Sequence, residues 1–243
     1  MFLTTPQSSH YRPEKFDRLA KTENHFDWEL YYRFKKKRER FWFAKLDAEP
    51  RFRTLVAEHL SAFQSSMIRT VRYLEGHTNP KVLDVGLSSE QFDKHLIDNL
   101  GAEVTVLDVQ QEAELYFDRV FGDAALFVLG DVNSFSRVEE NAARYDLVYS
   151  VGLIEHFPDK TDILHSHVRL TRPGGIVLLY APLDSELNRE LTQAVPEWEN
   201  FGYRELLTEG ELAAACKHPE LEILSTAATG LFSILWARRQ LID

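Results

Sequence analysis

The chain has a single cysteine, Cys216, among 243 residues, which excludes an intrachain disulfide and a thiolate metal cluster and suits a reducing cytoplasm. No apolar run approaches the ~18 residues of a membrane span, and Met1 is followed by neither a basic stretch nor an apolar one, so neither a signal peptide nor a membrane anchor is expected. Basic residues are also scarce, 28 Lys and Arg against 38 Asp and Glu. Seven of those bases fall within residues 33–45, leaving 21 basic against 37 acidic residues elsewhere. So acidic a body argues against a dedicated nucleic-acid binder, which presents a basic face. The G-x-G-x-x-G loop of nicotinamide enzymes is missing by two glycines, which sets that class aside.

What is present is an ordinary globular composition, 44% hydrophobic and 27% charged, in a chain long enough for a substantial core. The first 78 residues read as a helical cap. Apolar residues at Phe52, Leu55, Val56, Leu60, Phe63, Met67, Ile68, Val71 and Leu74 recur in steps of three and four, the stripe of one helix. Residues 24–46 mix aromatics with bases and predict a second helix. The run Lys35–Arg38 reads as a solvated face, and Phe34, Phe41, Trp42 and Phe43 as packing or a cover for a cleft.

After the breaker Gly76–Pro80 the pattern changes to alternating strand and helix over residues 79–243. Strands are expected at Lys81–Val85, Glu103–Asp108, Ala125–Leu129, Tyr145–Val151 and Gly175–Ala181, and helices at Ser89–Leu100 and Thr161–Leu170. Such alternation predicts a parallel sheet covered on both faces. Leu221–Ala227 and Leu231–Ala237 are separated by too few residues for a crossover, so they must form an antiparallel hairpin. Thr208 and Glu211 form a capping box ahead of the helix carrying Cys216, read as a buried small residue.

Five segments in register carry a resemblance. They are Val82-Leu-Asp-Val-Gly86, Val106-Leu-Asp108, Gly130-Asp131-Val132, Tyr145–Ser150 with Gly152–Asp159, and Arg172-Pro-Gly-Gly175. Together they resemble the class I S-adenosylmethionine methyltransferase family, of small-molecule type with a degenerate glycine loop. The resemblance implies a Rossmann-like α/β fold: a seven-stranded, mostly parallel sheet with a C-terminal antiparallel hairpin strand. It also implies S-adenosylmethionine as cofactor. Asp84, Gly86 and Ser88 would form the loop that holds it, with Asp108 on the ribose, Asp131 and Val132 at the adenine, and Ser150 beside the methyl end. A carboxylate at Asp108 suits this role because it is acceptor-only and takes two hydroxyl donors.

The loop departs from the family pattern where Ser88 and Glu90 stand at glycine positions. Ser88 is costly wherever φ must be positive, and Glu90 would repel the cofactor's carboxylate. His156, with a reference pKa of ~6.5, is the expected base, and Glu155 its orienting neighbour or a ligand contact. A structural role for this pair stays open. Tyr203 and Arg204, in the insertion Pro196–Leu207, are expected at the acceptor. His165 and His167 lie at i,i+2 and point to different sides, so no metal is expected.

The resulting expectation is a cytoplasmic methyltransferase acting on a small molecule at oxygen, with a sugar- or natural-product-like acceptor favoured. Its partner is the small acceptor; neither membrane nor nucleic acid is expected, and a homodimer stays open. The alternative is a non-catalytic binding or scaffold protein on the same fold, with an RNA or protein methyltransferase third.

Overall fold

The computed structural model describes residues 50–194 and 202–241. The expected helix at 24–46, the basic segment 33–45 and residues 196–201 of the insertion lie outside the described residues. Of the cap expected over residues 1–78, the described part is one helix, α1 (Pro50–Leu74).

The alternating region runs β1 (Lys81–Val85), α2 (Glu90–Leu100), β2 (Glu103–Asp108), α3 (Gln111–Phe121), β3 (Leu126–Leu129), α4 (Val132–Ser136), β4 (Tyr145–Val151), α5 (Thr161–Leu170) and β5 (Thr171–Pro182). It closes with α6 (Glu186–Ala194), α7 (Glu209–Ala215), β6 (Leu221–Ala228) and β7 (Phe232–Arg239). The seven strands form one sheet in the order β3-β2-β1-β4-β5-β7-β6. β1 to β5 pair in parallel, and β7 runs antiparallel to both β5 and β6. This is the seven-stranded, mostly parallel sheet expected. β5 starts earlier than read from sequence, because Thr171 pairs with Tyr145 before the register shifts to Leu147 with Ile176. The Arg172–Gly175 segment bulges out of the ladder between those pairs, with Gly174 at φ 79°.

Alternate strand residues pack on opposite layers. Val82, Val106, Leu147, Tyr149, Leu178 and Trp236 meet Met67, Leu74, Phe92, Leu96 and Phe117 of α1, α2 and α3. Leu83, Val85, Leu107, Val148, Val177 and Leu235 meet Phe135, Ile163, Leu164, Val168, Leu212 and Cys216. Cys216 is fully buried, and burial pushes its thiol up to about 12.

Phe63, Met67, Val71 and Leu74 of the expected stripe of α1 pack on the sheet, but two other members do not. Leu60 and Ile68 are about half exposed, whereas Ser66 and Thr70 are buried beside Met67 and Leu74. The cause is aromatic: Ser66 Oγ bonds the Tyr180 hydroxyl, and Thr70 Oγ1 accepts from Trp236 Nε1 at 3.1 Å. Buried Tyr and Trp need partners for their polar tips, and α1 turns its hydroxyls inward to supply them. Among the described residues no helix is long and apolar enough to cross a membrane.

The strand order reverses between β1 and β4, and in open α/β sheets ligands bind over the carboxyl ends of the strands at such a switch point.

Candidate functional site

The end of β1 sets the site. Val82–Val85 are all buried, Asp84 wholly so between apolar strand residues. The chain then turns through Gly86 at φ 100° and Leu87 at φ 40°, with the Gly86 N–H donating to Leu107 O at 2.7 Å. A side chain on Gly86 would meet no atom within 4 Å, so the inner face of this turn is open; the positive φ is what requires glycine. Leu87 tolerates a left-handed backbone that costs a residue roughly 1–2 kcal/mol. Its side chain is buried, which offsets that cost by about 1.5–3 kcal/mol.

Ser88 is outside the positive-φ region, so glycine is not needed there. Its N–H donates to Asp84 Oδ2 at 2.8 Å, and its hydroxyl donates to Asp84 Oδ1. Burial raises Asp84 to about 6 against the lowering effect of these bonds. Ser89 caps α2 by accepting from Phe92 N, and Glu90 opens the helix. The Tyr116 hydroxyl of α3 donates to Glu90 Oε2. The Glu90 carboxylate is thus engaged toward α3, and Glu90 is not among the residues lining the cleft described next.

That cleft is lined by Val85, Gly86, Leu107, Asp108, Val109, Gly130, Asp131, Val132, Leu153 and Phe157. Asp108 ends β2 almost fully buried, and its Oδ1 accepts from Gln110 N at 2.8 Å. Gly130 N donates to Asp108 O at 2.8 Å, tying the β2 and β3 ends together. Asp131 is the N-cap of α4, accepting from Ser134 N at 2.9 Å, and faces the cleft as well. Gly86, Asp108, Asp131 and Val132 thus line one cleft, while Ser88 bonds Asp84 and holds the loop to β1.

Ser150 does not join them. It is wholly buried and its Oγ pairs with His167 Nε2 at 3.2 Å on the α5 side of the sheet. His167 also bonds Ile163 O, and burial lowers it to about 4. The expectation that the Ser150 side chain meets the cofactor is corrected by its place on the strand, which aims it at α5. Leu153 and Phe157, which were not named as site residues, supply apolar side chains to the lining of the same cleft.

Beyond β4, Gly152 (φ 73°) leads into a short turn at Ile154–His156. The returning strap at residues 202–207 lies across this turn. Glu205 N donates to Glu155 O at 3.2 Å, His156 Nδ1 meets Tyr203 O at 3.1 Å, and Lys160 pairs with Glu205. Glu155 and His156 are both buried. Burial raises Glu155 to about 8, held back by the charges of Arg204 and Lys160. Burial lowers His156 to about 3, with Arg204 adding to the effect. Glu155 Oε2 has no hydrogen-bond partner. Tyr203 and Arg204 reach this turn, so the expected acceptor residues stand beside the expected proton-handling ones. Among the described residues no three of His, Cys, Asp and Glu gather as a metal site.

A family model for a methyltransferase domain matches residues 30–226, most of the chain. The chain belongs to the class I S-adenosylmethionine-dependent methyltransferase family. A ubiquinone biosynthesis O-methyltransferase of Xanthomonas oryzae pv. oryzae is 28% identical over 158 residues, which are 59% of this chain and 63% of that protein. One from Proteus mirabilis is 33% identical over 107 residues, 42% of each chain. The match thus spans less than two thirds of the length of these relatives. Among solved structures, the Burkholderia thailandensis 1,6-didemethyltoxoflavin-N1-methyltransferase with bound S-adenosylhomocysteine superposes with a TM-score of 0.51 at 20% identity, covering 82% of this chain and 90% of that one. A SAM-dependent methyltransferase from Aquifex aeolicus gives 0.53 at 13%, covering 70% and 88%. At such identities these structures establish the class I methyltransferase fold.

The residues lining the cleft suit the family cofactor in their chemistry. Gly86 leaves an open cradle, Asp108 offers an acceptor-only carboxylate at a strand end, and Asp131, Leu153 and Phe157 add a polar and two apolar side chains to the lining.

Proposed function

We propose that this protein is an S-adenosylmethionine-dependent methyltransferase that methylates a small molecule at oxygen. The observation that carries the reading is the cleft over β1, β2 and β3, which Gly86, Asp108 and Asp131 line together with Leu153 and Phe157. The oxygen acceptor draws its support from the relatives named as ubiquinone biosynthesis O-methyltransferases.

Gly86 and the Ser88 end of the loop would hold the methionine portion, Asp108 the ribose hydroxyls, and Asp131 with Val132 the adenine. When bound, S-adenosylmethionine supplies an electrophilic methyl group on a sulfonium. What the chain adds is alignment and exclusion of water, which together can account for ~7–11 kcal/mol of barrier lowering.

The acceptor's proton falls to the Glu155–His156 turn. A base works best with a pKa near the operating pH. Glu155, at about 8, meets that condition, while His156, at about 3, is a much weaker base. In this reading Glu155 accepts the proton and His156 holds the turn to the strap through the Tyr203 carbonyl. Tyr203 and Arg204 form the acceptor side, with Arg204 favouring an acceptor that carries or develops negative charge.

Two measurements test the reading. Calorimetry with S-adenosylhomocysteine should give saturable binding, and a panel of phenols, catechols and sugar hydroxyls incubated with labelled S-adenosylmethionine should give a methyl ether. Transfer to nitrogen or carbon acceptors alone would overturn the oxygen assignment.

A further inference from the structure

Beneath the cofactor loop lies a buried polar cluster that cofactor contacts do not account for. Asp84 of β1, Asp93 of α2 and Tyr149 of β4 are all shielded from solvent. The Tyr149 hydroxyl donates to Asp93 Oδ1 at 2.7 Å. Asp84 accepts from the Ser88 N–H and hydroxyl. Asp93 Oδ2 has no donor, and among the described residues the titratable groups acting on Asp93 are Asp84 and Tyr149. From the loop, Ser88 and Ser89 face Asp84; among the described residues no Lys, Arg or His acts on either carboxyl.

Two ionised carboxylates offer each other only acceptors, and in a buried site they cannot both keep a charge. A proton on one of them resolves both problems, since it makes that group a donor to the other. The hydrogen bonds decide which one carries it. Asp84 already receives two donors from Ser88, whereas Asp93 has an oxygen with none.

We infer that Asp93 carries a proton in the folded protein and donates it to Asp84, so that one shared proton braces the cofactor loop. Asp93 is a positioning residue here, and this role rests on the reading of the loop as the cofactor site. With Asp93 neutral, Asp84 keeps a single charge to accept both Ser88 donors, and the Ser88 end of the loop is fixed to β1. Serine in place of glycine belongs to the same device, because its hydroxyl is one of the two donors. Tyr149 completes the chain by orienting Asp93 from β4. Burial raises both carboxyls, Asp93 further because of the charge on Asp84, so the pair titrates as a unit.

The sign of the linkage follows. Asp93 holds its proton when folded and loses it near pH ~4 when unfolded. Its contribution to stability is therefore complete below that pH and is lost as pH rises toward the folded value. Asp93→Asn keeps a donor for Asp84 and cannot titrate.

The test compares wild type, Asp93→Asn and Asp93→Leu by ligand-free thermal melts and by calorimetry with S-adenosylhomocysteine. Between pH 6.5 and 9 the Asp93→Asn protein should gain on wild type, by about tenfold in folding equilibrium per pH unit while Asp93 stays protonated. A gap that stays constant across that range would overturn the shared proton. At pH 7, Asp93→Asn should bind within about threefold of wild type, and Asp93→Leu at least tenfold more weakly. Equal affinity in Asp93→Asn and Asp93→Leu would overturn the bracing role. A widening stability gap with no ligand binding in any variant would uphold the shared proton and overturn both the bracing role and the assignment of the loop to S-adenosylmethionine.

Discussion

His156 Nε2 and Glu155 Oε1 lie 3.6 Å apart, beyond hydrogen-bond distance, with both side chains buried. Burial acts on both in opposite directions, raising the acid to about 8 and lowering the base to about 3, so each is held neutral. Taking two charges out of water costs more than their attraction returns unless further hydrogen bonds support them, and Glu155 Oε2 has no such bond.

Turnover should therefore rise with pH through about 8 as Glu155 ionises. Glu155→Gln should flatten that rise and lower kcat by roughly 10²–10⁴-fold, the usual contribution of a positioned base. The folded-state pKa is raised, so the stability associated with the Glu155 proton is complete below ~4.3 and is lost as pH approaches 8. Glu155→Gln should accordingly be more stable than wild type at pH 9. A pH–rate profile unchanged by the substitution would remove Glu155 as the base.

Glu90 is bonded by the Tyr116 hydroxyl, so its charge should matter little to the cofactor. Glu90→Gln should leave S-adenosylhomocysteine affinity within twofold in calorimetry. A tenfold gain would show that the carboxylate opposes the ligand after all.

Thr70 is the acceptor for Trp236 Nε1. Thr70→Val keeps the shape and leaves a buried N–H without a partner, a loss of about 1–3 kcal/mol that urea denaturation would register. Thr70→Ser should recover most of it. Equal stability in Thr70→Val and wild type would mean that the indole finds another acceptor.

The architecture was legible because its signals are local. Strand and helix alternate in hydropathy, Thr208 and Glu211 do form the capping box, and the short link before Phe232 forces an antiparallel strand. The buried side of α1 was less so. Hydropathy favoured Leu60 and Ile68, whereas the polar tips of Tyr180 and Trp236 draw Ser66 and Thr70 inward from more than a hundred residues away.

The same division holds at the site. Gly86, Asp108 and Asp131 stand at strand ends, where a turn or an acid announces itself in a few residues. Ser150 was misplaced because its partner His167 is set by the packing of α5 on β4. Asp93 and Tyr149 are 56 residues apart, and only the seating of α2 on the sheet joins them. An acid next to Phe92 on the buried face of α2 was the one available sign.

The central claim is that the cleft beside Asp108 holds the family cofactor. Calorimetry with S-adenosylhomocysteine on wild type and Asp108→Ala tests it most directly. A charged hydrogen-bond acceptor contributes about 1.5–3 kcal/mol, so the substitution should weaken binding roughly 10- to 100-fold with the fold intact. Wild type that binds no ligand at millimolar concentration, or Asp108→Ala that binds as tightly as wild type, would contradict it.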